Sequence, residues 1–305
     1  MSDGSTPFLK MNGLGNDFVV WDARTTPLAL PVETIRLIGD RTTGIGFDQM
    51  ITVERSPSGA DAFMRIHNRD GSEVSACGNA TRCIGRLLME ESGRPAATIE
   101  TRAGLLNATG TDDPRRVTVD MGQPKLAWDE IPLAEPFADT RAIELQIGPI
   151  DAPVLHTPSV VNMGNPHAIF WVPALDAVDL QQVGPMLENH PMFPERANIT
   201  LAHVLSDTEI EIKVWERGVG LTQACGTAAC ATAVAAIRDG RTERRVTIHL
   251  PGGPLLLEWR ESDGHVLMTG DTEIEFEGRV DLATGRFRKT APGDAAALAT
   301  PEASR

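Results

Sequence analysis

The chain has 305 residues, 41% of them hydrophobic, which suits one large domain or two of about 150 residues, each able to bury a core without a metal or disulfide staple. A formal net charge of −14 with no long basic run argues against nucleic acid or anionic membrane as the main partner, and leaves small substrates open. No stretch approaches the ~18 apolar residues of a membrane span, and "MSDGSTPFLK" lacks the pattern of a signal peptide, so the cytosol is the expected compartment and the four cysteines are expected as thiols.

In chain order, short β-type runs come first: "FVVWDA", "QMITVE" and "AFMRIHN". A glycine-containing turn leads to "SACGNATRC" (75–83), and the segment that follows has helical length and meets a stop at Gly93. The strand "RVTVDMG" (116–122) precedes a boundary expected near Gly122–Trp128, which separates a first half, 1–124, from a second, 125–271. The second half opens on "AIFWVP", "NITLAHV" and "EIEIKVWE", the last alternating with period two as a half-buried strand does. "TQACGTAAC" (222–230) then begins a helix of small apolar residues, expected to be buried on every side, and "RVTIHL" and "HVLMTG" follow as strands. The tail 290–305 has little to bury and is expected to be disordered.

The halves are two copies of one pattern. At an offset of 148 or 149, "GNDFVVW" falls on "GNPHAIFW", "FDQMITV" on "RANITLA", "NRDGSEVSACGN" on "ERGVGLTQACGT" and "TIETRAGLL" on "TIHLPGGPL". Strands around one central helix in each half predict an α+β fold of two pseudo-symmetric domains, each a mostly antiparallel sheet or barrel wrapped around its helix.

The repeat sets Cys77 against Cys225, each between a turn and a helix N-terminus. The backbone N–H groups there favour anions, so the thiols are expected to ionise below the usual ~8.5, and Gly78–Asn79 and Gly226–Thr227 are placed to bind a carboxylate. If the halves face each other across a cleft, the two thiols meet on opposite sides of one carbon: one removes a proton, the other delivers one, and no cofactor is needed. Zinc fits poorly, because Cys77-x5-Cys83 and Cys225-x4-Cys230 lack metal spacing. A Cys77–Cys225 disulfide needs an oxidising compartment, and a lone nucleophile leaves the other copy unexplained. Cys83 and Cys230 read as core.

Partners for an amino acid's ammonium and carboxylate recur at matched positions: Asn16 and Asn165, Gln49 and Asn198, Asn68 and Glu216, with Arg217 able to hold a carboxylate bidentately and Arg69 as its counterpart. His167 is either a proton relay beside one thiol or a structural histidine after a turn. "GIGF" and "GLGN" are incomplete as phosphate loops.

These residues carry a resemblance. "KMNGLGNDFVV", "GIGFDQ", "NRDGSEVSACGNATRC", "GNPH", "RANI" and "ERGVGLTQACGTAAC", in that order from Phe8 to about Val280, resemble the diaminopimelate epimerases, amino-acid epimerases that work without pyridoxal phosphate. The resemblance implies interconversion of L,L- and meso-2,6-diaminopimelate in lysine and peptidoglycan precursor synthesis. It implies Cys77 and Cys225 as the acid/base pair, assisted by His167 and Glu216. Asn16, Gln49, Asn68, Asn165, Asn198, Glu216 and Arg217 would line the substrate site, with the backbone of Gly78, Asn79, Gly226 and Thr227 on the reacting carboxylate. It further implies an active site between the halves, a C-terminal strand (about 272–288) returning to the first half, a homodimer, and neither metal nor cofactor. Ala80-Thr81 and Thr227-Ala228 depart from the family's usual Gly-Ala and Ser-Gly. A proline or hydroxyproline racemase and a non-catalytic amino-acid-binding protein are the competing readings.

Overall fold

The computed structural model describes residues 5–291, so the expectation for the tail lies outside the described residues from 292 onward. The chain divides into two compact units: one runs to Val119 and resumes at Gly270, and the other is Asp120–Thr269.

In the first unit, Thr6–Asn12 pairs antiparallel with Asp17–Asp22 on one side and with Glu273–Val280 on the other. Asp17–Asp22 then runs parallel to Gln49–Glu54, which pairs antiparallel with Ala62–Asn68. Ala62–Asn68 runs parallel to Ala96–Thr101, which forms a hairpin with Gly104–Gly110. Helix α1 (Val32–Gly39) buries Ile35 and Ile38 with Phe8, Trp21, Phe47 and Met50. Helix α2 (Gly78–Ser92) packs on Ala96–Thr101 and Gly104–Gly110. It ends at Gly93, whose left-handed φ of 66° lets its N–H reach the Met89 carbonyl.

The second unit repeats this order. Ser159–Asn162 pairs antiparallel with Pro166–Trp171, which is parallel to Asn198–Ser206, which is antiparallel to Glu209–Glu216. Glu209–Glu216 is parallel to Arg245–Leu250, which forms a hairpin with Gly253–Trp259. Helix α3 (Leu180–Glu188) starts at Asp179, whose side chain accepts from the Gln181 N–H. Helix α4 (Gly226–Arg238) is buried without interruption from Ala228 to Ala236. A helix of Ala, Cys, Thr and Val has no polar face to give to water, so sheet must surround it, and it packs on strands of the hairpin and of the parallel set alike.

The fold is therefore the expected sheet-rich α+β one, with a refinement: each unit is mixed, and its two parallel pairings lie between antiparallel ones. Parallel neighbours need a crossover, and α1, α2, α3 and α4 lie in those crossovers. No helix among the described residues is long and apolar enough to cross a membrane.

The contact of α2 with its sheet is close enough to test. A Cβ on Gly85 would lie 2.4 Å from the Cβ of Ala108, an atom fixed to the backbone. Gly85→Ala should therefore lower stability by about 1–3 kcal/mol despite alanine's better helix propensity, and adding Ala108→Gly should restore part of the loss, as read from urea unfolding midpoints.

Candidate active site

Each helix that begins with an ACG element is capped by its cysteine. Cys77 precedes α2 with φ −148° and ψ 112°, and Cys225 precedes α4 with φ −136° and ψ 103°. The backbone is extended at the cysteine and helical one residue later. Gly78, Asn79, Gly226 and Thr227 thus occupy first-turn positions whose N–H groups have no carbonyl one turn earlier to bond.

In the first unit the turn Gly13–Asn16 brings Asn16 to this helix end. Leu14 and Gly15 are both left-handed, and the Gly15 N–H is held by the Asn12 side chain at 2.8 Å. The Asn16 carbonyl oxygen accepts from the Cys77 thiol at 3.7 Å and from the Asn79 amide at 3.3 Å. The Asn16 amide donates to Asp48 at 3.1 Å. Behind Asp48 lies a charge cluster. Arg41 bridges Asp48 and Asp17, and Lys10 donates to Asp17 and to the Gly46 carbonyl. Burial pushes the Asp17 carboxyl up, but hydrogen bonds from Arg41 and Lys10 outweigh it and hold the group well below the usual carboxylate range. Gln49 and Asn68 are direct partners across antiparallel strands, joined at 3.2 Å, and Asn68 also holds Ser72. Two buried acceptors, Gln49 Oε1 and Asn79 Oδ1, have no protein donor. Arg69 is exposed.

In the second unit, Asn162 holds the Gly164 N–H at 2.7 Å, and Asn165 follows as Asn16 does. His167 is 0% exposed, with Nε2 2.7 Å from Asn165 Oδ1 and no protein partner at Nδ1. Burial, reinforced by the nearby positive charge of Arg217, pushes its imidazole down to about 3. The ring is therefore neutral, and its Nε2–H donates to Asn165. Asn198, beside His167 in the parallel register, accepts from the Arg217 N–H at 2.9 Å and donates to the Pro166 carbonyl at 3.0 Å. Arg217 also reaches the Glu195 carbonyl at 2.8 Å. Glu216 accepts from Thr222 at 2.6 Å and from the Cys225 thiol, whose sulfur is 3.6 Å from the Thr227 hydroxyl.

The Cys225 thiol corrects an expectation. It does not ionise below the usual range; burial first, and the Glu216 carboxylate second, push it well above. Hydrogen bonds from Thr227 and from the Ala228 N–H act the other way and lose. Cys83 is fully buried against the Asn12 carbonyl, and desolvation pushes it up to about 12, as suits a core thiol. Among the described residues, which include all four cysteines, no disulfide forms, and no three His, Cys, Asp or Glu side chains gather as a metal ion would require.

Within their own units the sequence candidates gather: Asn16, Asn79 and Cys77 in one group, Gln49 with Asn68, His167 with Asn165, Arg217 with Asn198, and Glu216 with Cys225. Sequence reasoning passed over the residues behind them. Asp48 stood inside the "GIGFDQ" motif, and Lys10 and Asp17 inside "KMNGLGNDFVV", so position was available as a signal although partnership was not. Thr222 likewise stood inside "ERGVGLTQACGTAAC", whereas Glu188 carried no signal of its own.

Solved structures of low sequence identity share this architecture. A Bacillus anthracis phenazine biosynthesis protein of the PhzF family is 18% identical, with a TM-score of 0.62, covering 90% of this chain and 99% of that one. A hydroxyproline epimerase from Agrobacterium vitis is 16% identical, with a TM-score of 0.60, covering 97% and 98%. The fold class is thus the two-domain one of PhzF proteins and proline-racemase relatives. Within it, the family model for diaminopimelate epimerase matches residues 8–127 and 159–275. A diaminopimelate epimerase of Afipia carboxidovorans is 59% identical over 276 residues, 90% of this chain and 94% of that protein. The chain belongs to the diaminopimelate epimerase family.

The state of His167 has a measurable consequence. The unfolded chain takes up a proton near pH 6.5 that the folded imidazole refuses until about pH 3. The unfolded state binds more protons in that window, so stability should fall as pH falls through it, by up to about 1.4 kcal/mol per pH unit from this residue. NMR titration should show the His167 ring shifts flat from pH 6.5 down to about 4 while exposed histidines titrate.

Proposed function

We propose that the protein interconverts L,L- and meso-2,6-diaminopimelate by two-thiol proton transfer without a cofactor, Cys77 and Cys225 serving opposite faces of one α-carbon. The observation that carries this reading is that two cysteines in topologically equivalent positions each cap a helix whose first N–H groups lack helical partners. Directed at one α-carboxylate, the N–H groups of Gly78–Asn79 and Gly226–Thr227 stabilise the charge that gathers there as the α-proton leaves.

The roles divide by environment. Burial and Glu216 hold Cys225 protonated in the substrate-free protein, which makes it the ready proton donor. In the reverse direction Cys225 must lose its proton, and Glu216, already hydrogen-bonded to it, is placed to take it. His167, being neutral, is a positioning residue: it fixes the Asn165 carbonyl oxygen and so presents the Asn165 NH₂ to substrate. Gln49 Oε1 and Asn79 Oδ1 are acceptors suited to an ammonium. Arg217 gives a second carboxylate a planar cationic partner, as a substrate with two amino-acid heads requires. The family resemblance adds a homodimer acting in the cytosol.

Incubation with L,L-diaminopimelate in D₂O under reducing conditions should give meso product with deuterium at the α-carbon. Cys77→Ala and Cys225→Ala should each lower turnover by about 10²–10⁴-fold, the scale of general acid–base catalysis, because each thiol serves one face. A wild-type enzyme that gives neither product nor deuterium overturns the reading.

A further inference from the structure

Glu188, the last residue of α3, has no part in the chemistry above, yet its carboxylate collects three donors from the segments that carry Glu216, Arg217 and Asn198. Its side chain is 7% exposed. Its Oε2 accepts from the Trp215 indole N–H at 2.7 Å. Its Oε1 accepts from the Gly218 N–H at 2.9 Å and from Arg196 Nη1 at 3.0 Å. Its backbone carbonyl accepts from the Ala197 N–H at 3.2 Å.

Trp215 and Gly218 flank the Glu216–Arg217 pair, and Arg196 and Ala197 lead into Asn198. One carboxylate therefore grips the end of Glu209–Glu216 and the start of Asn198–Ser206 together, and the Arg217–Asn198 hydrogen bond closes the loop between them. The surroundings are shaped to allow this. Gly184 lies under the Trp215 indole, where a Cβ would come within 2.5 Å of the ring, and Gly218 and Arg196 both adopt positive φ, 77° and 61°. The first unit does without the device. Gly39, the last residue of α1 and the one at the matching repeat position, has no side chain to do this, and neutral Asn68 is held by Gln49 and Ser72. The clamp accompanies the unit whose strand ends in a charged Glu–Arg pair.

We propose that Glu188 is a positioning residue that sets the aim of Glu216, Arg217 and Asn198 at substrate. The proposal rests on the reading of those three as substrate contacts. Three donors converge on two acceptor oxygens, so the near-isosteric Glu188→Gln must turn an NH₂ against at least one of them.

In Glu188→Gln, KM for L,L-diaminopimelate should rise about tenfold or more, the effect of a lost charge-assisted hydrogen bond, and Trp215→Phe, which removes only the indole donor, should raise it about threefold. KM is the decisive readout: a merely structural role would reduce the active fraction and apparent kcat but leave KM where it was. Amide hydrogen exchange at Gly218 should accelerate in Glu188→Gln. An unchanged KM in Glu188→Gln overturns the proposal; if that variant does not fold, an unchanged KM in Trp215→Phe does so. Wild-type inactivity toward diaminopimelate overturns the functional reading instead. In that case Gly218 exchange decides the clamp, and a Gly218 amide as fast in wild type as in an exposed loop overturns it.

Discussion

In both units the chain changes from extended to helical at a cysteine, and that junction fixes everything around it. A helix end can present its N–H groups in a fixed direction only if the helix itself cannot rock. In the second unit this is secured by burying α4 on every side; in the first, by setting Gly85 of α2 directly against Ala108. The same burial acts against the thiol. A helix dipole is worth about 0.3–2 kcal/mol to a charge at its N-terminus, whereas full desolvation can move a pKa by about three to five units. At Cys225 the larger effect wins, with Glu216 adding to it. The junction that orients the sulfur therefore also favours the protonated thiol.

The two strand layouts show what sequence can reveal. Alternation in "EIEIKVWE" and the stop at Gly93 translate directly into a strand and a capped helix, because burial on one face and a left-handed glycine are local requirements. The repeat exposed the shared topology for the same reason: each copy must bury the same faces. Helices α1 and α3 were not legible. The first has eight residues, and the second contains Gly184 and Pro185, which read as helix breakers until Trp215 is seen packed over Gly184. Among polar residues, those beside the cysteines stood out by position. Asp48 and Glu188 did not, because what makes them matter is convergence: donors far apart in sequence meet on one carboxylate, and no periodicity encodes that. The Cys225 shift was missed for a related reason, since burial is set by the whole unit and not by the residues flanking the cysteine.

The two units also separate backbone design from polar chemistry. The same hairpin, parallel step and second hairpin carry neutral Gln49 and Asn68 in one unit, and Asn198 with the charged Glu216–Arg217 in the other. Charge is not absent from the first unit: Arg69, the exposed counterpart of Arg217, carries one, and one layer back lie Lys10, Asp17, Arg41 and Asp48, of which Asp48 bonds Asn16, the acceptor of the Cys77 thiol. In the second unit the carboxylate bonds the thiol itself. Register is set by the buried alternation of Val, Ile, Leu and Met, so strand ends are free to differ while the helices stay fixed. A duplicated scaffold can in this way give two equivalent cysteines unequal electrostatic surroundings.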